Sequence, residues 1–124
     1  MQTGPGIVKA SYTIPKDCAA HYNNNNMICF NACNGNICYK GINTVGNSQY
    51  SSGQKIGLEL DKGKGTLHFF IDGVQQPVFV RGINEPVRFY GHIFNEGASF
   101  TIVTFKKLPA ATTHTLPNEK AIDW

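Results

Sequence analysis

Residues 57–80 read GLELDKGKGTLHFFIDGVQQPVFV, and the spacing of their apolar side chains decides the fold. Ile56, Leu58 and Leu60 alternate with Gly57 and Glu59, which is the two-residue period of a strand with one covered face. Leu67, Phe69 and Ile71 repeat that parity, while His68 and Phe70 put bulk on the other side, so the second strand is expected to be central, with both faces at least partly covered. Between them, Asp61-Lys62-Gly63-Lys64-Gly65 supplies two glycines that tolerate positive φ, and Asp72-Gly73 is a strong hairpin signal. Three antiparallel strands in sequence order follow, with Leu58, Leu60, Leu67, Phe69 and Ile71 as core.

Working outward, further strands are expected over residues 6–14, 27–32, 36–40, 87–94 and 98–105, with Asn34-Gly35 and Asn95-Glu96-Gly97 as turns. No segment carries a 3.6-residue apolar period. About eight short strands with closely spaced turn signals predict an all-β fold, an antiparallel β-sandwich. Residues 43–53, NTVGNSQYSSG, read as a long polar surface loop, and the run Asn23 to Asn26 as a loop tip. After Phe105 two prolines and a Thr-rich stretch argue against a regular element. The chain therefore divides into a sandwich over 1–105 and a tail over 106–124, whose closing Ala121-Ile122-Asp123-Trp124 is expected to pack back on the body.

The totals fit this reading. A chain of 124 residues with 41% hydrophobic, 15% charged and thirteen glycines suits one folded domain rich in turns. Its formal charge of +3 comes from basic residues scattered along the chain, the longest run being Lys106-Lys107, so no nucleic-acid partner is expected. No apolar stretch approaches the roughly eighteen residues of a membrane span, and the N-terminus lacks the pattern of a signal peptide. No membrane partner and a cytoplasmic or nuclear location are the expectation.

Chemistry finds little purchase. Cys18, Cys29, Cys33 and Cys38, with His21 near the first, do not show the paired spacing of a zinc knuckle, although Cys33 and Cys38 flank the Asn34-Gly35 turn and could face one another across a hairpin. Thiols in a reducing compartment are the simpler reading, with no metal and no cofactor. His68 and His92 fall within strands, and the carboxylates are spread through turns and termini, Asp61 and Asp72 being explained by turn formation. No phosphate-binding loop opens a helix. The chain is not expected to be an enzyme.

The stretch GQKIGLELDKGKGTLHFFIDGVQQPVFV, residues 53–80, resembles the signature of SPRY domains: Gly-x-x-Ile-Gly, Leu-Asp, a short turn to Gly-Thr-Leu, an aromatic strand, then Asp-Gly. Gln54 stands where an acidic residue is common in that family. The strands around residues 87–94 and 97–105 are similar to its closing pair, and 27–52 resemble it more faintly. The first 23 residues depart from the pattern, as a short, divergent or N-terminally truncated member would. The resemblance implies a bent sandwich of concanavalin-like jelly-roll architecture that acts as a non-enzymatic protein–protein interaction module, an adaptor presenting rim loops to a peptide or protein partner. On this chain those loops are 22–26, 41–50 and 81–85, with Tyr22, Asn24, Asn43, Tyr50, Arg81 and Asn84 as the partner-binding residues; tyrosine and arginine are the types that anchor interfaces. An open sheet edge would invite a homodimer or a partner strand. The alternative is a carbohydrate-binding sandwich, suggested by the asparagines at 23–26, 31, 34, 36, 43 and 47.

Overall fold

The computed structural model describes residues 4–14, 25–93 and 99–124. Ten strands are formed: β1 (Gly4–Lys9), β2 (Met27–Phe30), β3 (Ile37–Tyr39), β4 (Ile42–Thr44), β5 (Ile56–Asp61), β6 (Thr66–Ile71), β7 (Val74–Gln75), β8 (Val78–Arg81), β9 (Val87–His92) and β10 (Lys120–Asp123). They build two sheets, one in the order β4-β3-β2-β1-β9 and the other β10-β8-β6-β5 with β7 paired to β6. The described residues contain no helix, and the fold is the all-β sandwich expected from the alternation.

The meander of residues 56–81 forms as its periodicity requires. β6 lies between β5 and β8, and Leu67, Phe69 and Ile71 are buried on its inner face, with Leu58 and Leu60 of the edge strand β5 packed beside them. Asp72 and Gly73, at φ 49° and 82°, make the two-residue turn into β7. Between β7 and β8 the register against β6 slips by two residues at Gln76-Pro77. Pro77 has no N–H to give a ladder, so it sits where the ladder is already broken.

The inner faces of the two sheets meet through Ile7, Ile28, Phe30 and Ile37 on one side and Leu67, Phe69, Val78 and Val80 on the other. Phe30 and Phe69 pack ring to ring across the layers at 5.0 Å. On the outer face of the first sheet Val8 and Met27 form a smaller core with Tyr12 and Tyr90.

Two expectations are corrected. Over 98–105, the described residues 99–105 form no strand. The Phe100 ring lies directly over Gly91, so close that a Cβ there would come within 2.5 Å of it, and Phe105 packs edge-on against Phe89 at 5.8 Å. Residues 100 and 105 have opposite parity, and a regular strand would send their rings to opposite faces. Using both rings against β9 therefore precludes a ladder, and Ile102 and Val103 are left exposed. In the tail, Lys120–Asp123 is a regular element after all, paired parallel to β8. The prolines at 109 and 117 precede it and do not interrupt it.

Candidate functional site

A concave feature of the described surface lies where the two sheets end side by side. β3 and β4 are joined by Lys40-Gly41, both at positive φ (54° and 75°), a two-residue turn that leaves β4 as the edge of the first sheet. β10 is the edge of the second. Between them runs a groove of about 330 Å³, walled by Tyr39, Lys40, Ile42 and Thr44 on one side and by Lys120, Ala121, Ile122 and Asp123 on the other.

The backbone geometry of both walls follows from their ladders. Lys120 N–H donates to Pro77 O and Trp124 N–H to Arg81 O, each at 2.9 Å. Strand alternation then turns the N–H and C=O of Ala121 and Asp123 away from β8. On the other wall, Asn31 N–H donates to Asn36 O at 2.9 Å, which makes Cys29 and Cys38 the next hydrogen-bonded pair, points Ile37 and Tyr39 at β4, and turns the backbone of Asn43 outward. The groove is thus flanked by two strand edges. Lys120 ties them at one end, its Nζ donating to Val45 O at 3.0 Å.

At the other end Tyr39 stacks on Trp124, rings 5.3 Å apart and 4° from parallel, while the Lys40 ammonium sits 4.9 Å from the Tyr39 ring centre. Trp124 Nε1 donates to Glu85 Oε2 at 3.2 Å, and Arg81 Nε to Asp123 Oδ1 at 2.7 Å. Burial raises the Tyr39 hydroxyl above its ordinary pKa, with the Glu85 charge adding to it.

The residues expected at an interface fall in several places. Tyr22 and Asn24 lie outside the described residues. Tyr50 is a cap on the core: its ring is 4.8 Å from Phe30 and its hydroxyl donates to Phe30 O at 2.5 Å. Burial drives that hydroxyl's pKa far upward. Arg81 is exposed but held by Asp123, Asn84 is exposed in the loop after β8, and Asn43 is exposed on β4 with its backbone facing outward. The 43–53 stretch is not a free loop either. Asn47 is 7% exposed and pairs with Val78 as a strand would, accepting from its N–H at 2.7 Å and donating to its C=O at 3.3 Å. Ser48 N–H donates to Gln76 Oε1 at 2.9 Å. Reading the sequence missed Tyr39, Lys40, Ile42 and the β10 residues, although the run Ile42-Asn43-Thr44 after a Lys-Gly turn was a strand signal.

The cysteines are also arranged differently from expectation. Cys38 faces Cys29, not Cys33, because the connection from β2 to β3 takes all of residues 31–36 and Cys33 falls inside it, exposed. Asn31 Oδ1 accepts from Cys33 N–H and Asn34 Oδ1 from Asn36 N–H, which shapes that turn. Among the described residues no group of three His, Cys, Asp or Glu side chains could hold a metal ion.

Comparison of the chain with protein-family models, with curated proteins and with solved structures gives no match. Among the described residues, the class that fold and groove define is an all-β sandwich whose edge strands β4 and β10 flank a cleft.

Proposed function

We propose that the chain is a non-enzymatic interaction module of SPRY-like type, and that it takes an extended segment of a partner protein in the groove between β4 and β10. The observation that carries this reading is the pairing of two strand edges, with outward backbone groups at Asn43, Ala121 and Asp123, across an apolar cleft. A peptide strand added there gains main-chain hydrogen bonds for affinity, and its alternate side chains reach Tyr39, Ile42 and Ile122 for specificity. The groove is at the small end of the size range of binding sites, which suits two or three side chains of a peptide rather than a cofactor.

Selection of binders from a library of unstructured peptides, followed by titration calorimetry, tests this. Ala121→Pro removes an outward N–H without touching the ladder to β8, and Ile42→Glu puts a charge on an exposed groove wall; each is expected to weaken binding by about tenfold or more, a loss of about 1.4 kcal/mol. Arg81→Ala and Asn84→Ala are expected to have small effects. The reverse pattern would place the contact on the loop after β8 and end the groove reading. Binding to a glycan array in place of peptides would favour the carbohydrate alternative.

A further inference from the structure

Cys29 and Cys38 occupy directly opposed positions on β2 and β3, and no disulfide joins them. Their row continues through Asn43 on one side and through Gly6 and Tyr90 on the other. The inner core takes Ile28, Phe30 and Ile37 from the same two strands, so the cysteines face the outer side of the sheet. Both are buried there, at 0% and 2% exposure. Opposed residues in a hydrogen-bonded antiparallel pair have Cα atoms about 5.5 Å apart. That lies within the roughly 4.4–6.8 Å that a disulfide spans.

We propose that Cys29 and Cys38 are a reversible dithiol–disulfide site, closed by exchange with a low-molecular-weight disulfide. One thiol loses its proton to solvent and its thiolate attacks the small disulfide, forming a mixed disulfide and releasing one small thiolate. The second cysteine, deprotonated in turn, attacks the protein sulfur of that mixed disulfide and expels the second small thiolate. Two protein thiols are oxidised to one cystine, one small disulfide is reduced to two thiols, and two protons balance the charge.

The surroundings set the character of this site. Burial pushes the Cys29 thiol up to about 12, with the neighbouring Cys38 adding to it, and the Cys38 thiol up to about 11. In the closed fold the thiolate is scarce and attack is slow, which keeps the pair reduced until the sheet edge opens. β4, three residues long and largely exposed, is the part of this sheet with least to hold it. A hydrogen-bonded pair separates its Cβ atoms by about 5.5 Å, more than the roughly 3.5–4.5 Å a relaxed disulfide prefers. The cystine is therefore strained and easily reduced again.

The test uses the full chain with Cys18→Ser and Cys33→Ser, checked for an unchanged β-sheet circular dichroism spectrum. It is equilibrated in a glutathione redox buffer with urea below the unfolding transition, then acid-quenched and weighed intact. The expected product has lost two hydrogens, carries no glutathione, yields a cross-linked 29–38 peptide and returns to the starting mass with dithiothreitol. Since β3 also carries Tyr39 against the sole tryptophan, closure is expected to change Trp124 fluorescence reversibly. A retained glutathione adduct, a disulfide-linked dimer, or two alkylatable thiols at equilibrium would each overturn the proposal. Cys38→Ser in the same background is expected to abolish the two-hydrogen loss; if the loss persists, the proposal fails as well.

Discussion

At the scale of single residues, polar side chains here mostly serve the frame. Asn47 substitutes for a strand by giving Val78 both a donor and an acceptor. Asn47→Ala orphans a buried N–H and a buried C=O, and is expected to cost about 1–3 kcal/mol for each group that finds no water. Urea unfolding measures it, and a loss under about half a kcal/mol would show that solvent reaches Val78. Gln54 gives a second instance. Its Nε2 donates to Asp72 Oδ2 at 3.0 Å, and Asp72 Oδ1 accepts from Lys55 N–H at 2.8 Å. Those hydrogen bonds, the backbone one first, hold the Asp72 carboxyl below its ordinary pKa. An acidic residue at position 54 would set two carboxylates together, a repulsion that glutamine avoids. Position 47 was legible only as a polar loop residue, because its partner is thirty-one residues away.

Among the elements, β10 shows how far local signals reach. Prolines and threonines before it read correctly as irregular, yet four residues at the end form a parallel strand on β8, with Trp124 closing on Tyr39. Parallel pairing leaves no hairpin signature in sequence, since its partner strand is remote. Trp124→Ala removes the stacking and the bond to Glu85 from a half-buried ring. We expect a loss of about 2 kcal/mol, below the roughly 3–5 kcal/mol of a fully buried aromatic such as Phe69. Trp124→Phe should recover much of it. Equal stability of the alanine variant and the wild type in urea would mean that β10 docks without this anchor. Residues 99–105 show the opposite case, in which strong β-forming residues make no strand because their rings are committed to Gly91 and Phe89.

For the whole molecule, the tail is part of the sandwich's covering. Thr112 donates from both its N–H and its hydroxyl to Glu59, and Gln75 and His114 exchange two hydrogen bonds, His114 O accepting at 2.7 Å. His68, 8% exposed on the outer side of β6, stacks on Phe79 at 4.6 Å. Burial lowers its pKa below the ordinary 6.5, and burial also lowers that of His92. The unfolded chain then binds protons that the fold does not as pH falls below 6.5, so these groups' contribution is complete above that pH and is lost on acidification through their folded pKa values. Stability is expected to decline in this window, above the range in which the carboxylates titrate, and His68→Gln should flatten the decline. A wild-type urea midpoint that is constant between about pH 7 and pH 5 would contradict it.

Alternation over residues 56–81 was enough to determine one sheet layer and which of its side chains face the core, because a two-residue period assigns each side chain a face whatever lies beyond the strand. Asp72-Gly73 likewise determined its turn, since few residues accept positive φ. Only the tertiary structure decided which strands end as sheet edges among the described residues, and that β10 meets β4 across a groove. Those depend on contacts between segments far apart in the chain, and the sequence carries no local mark of which distant strand a given edge will find.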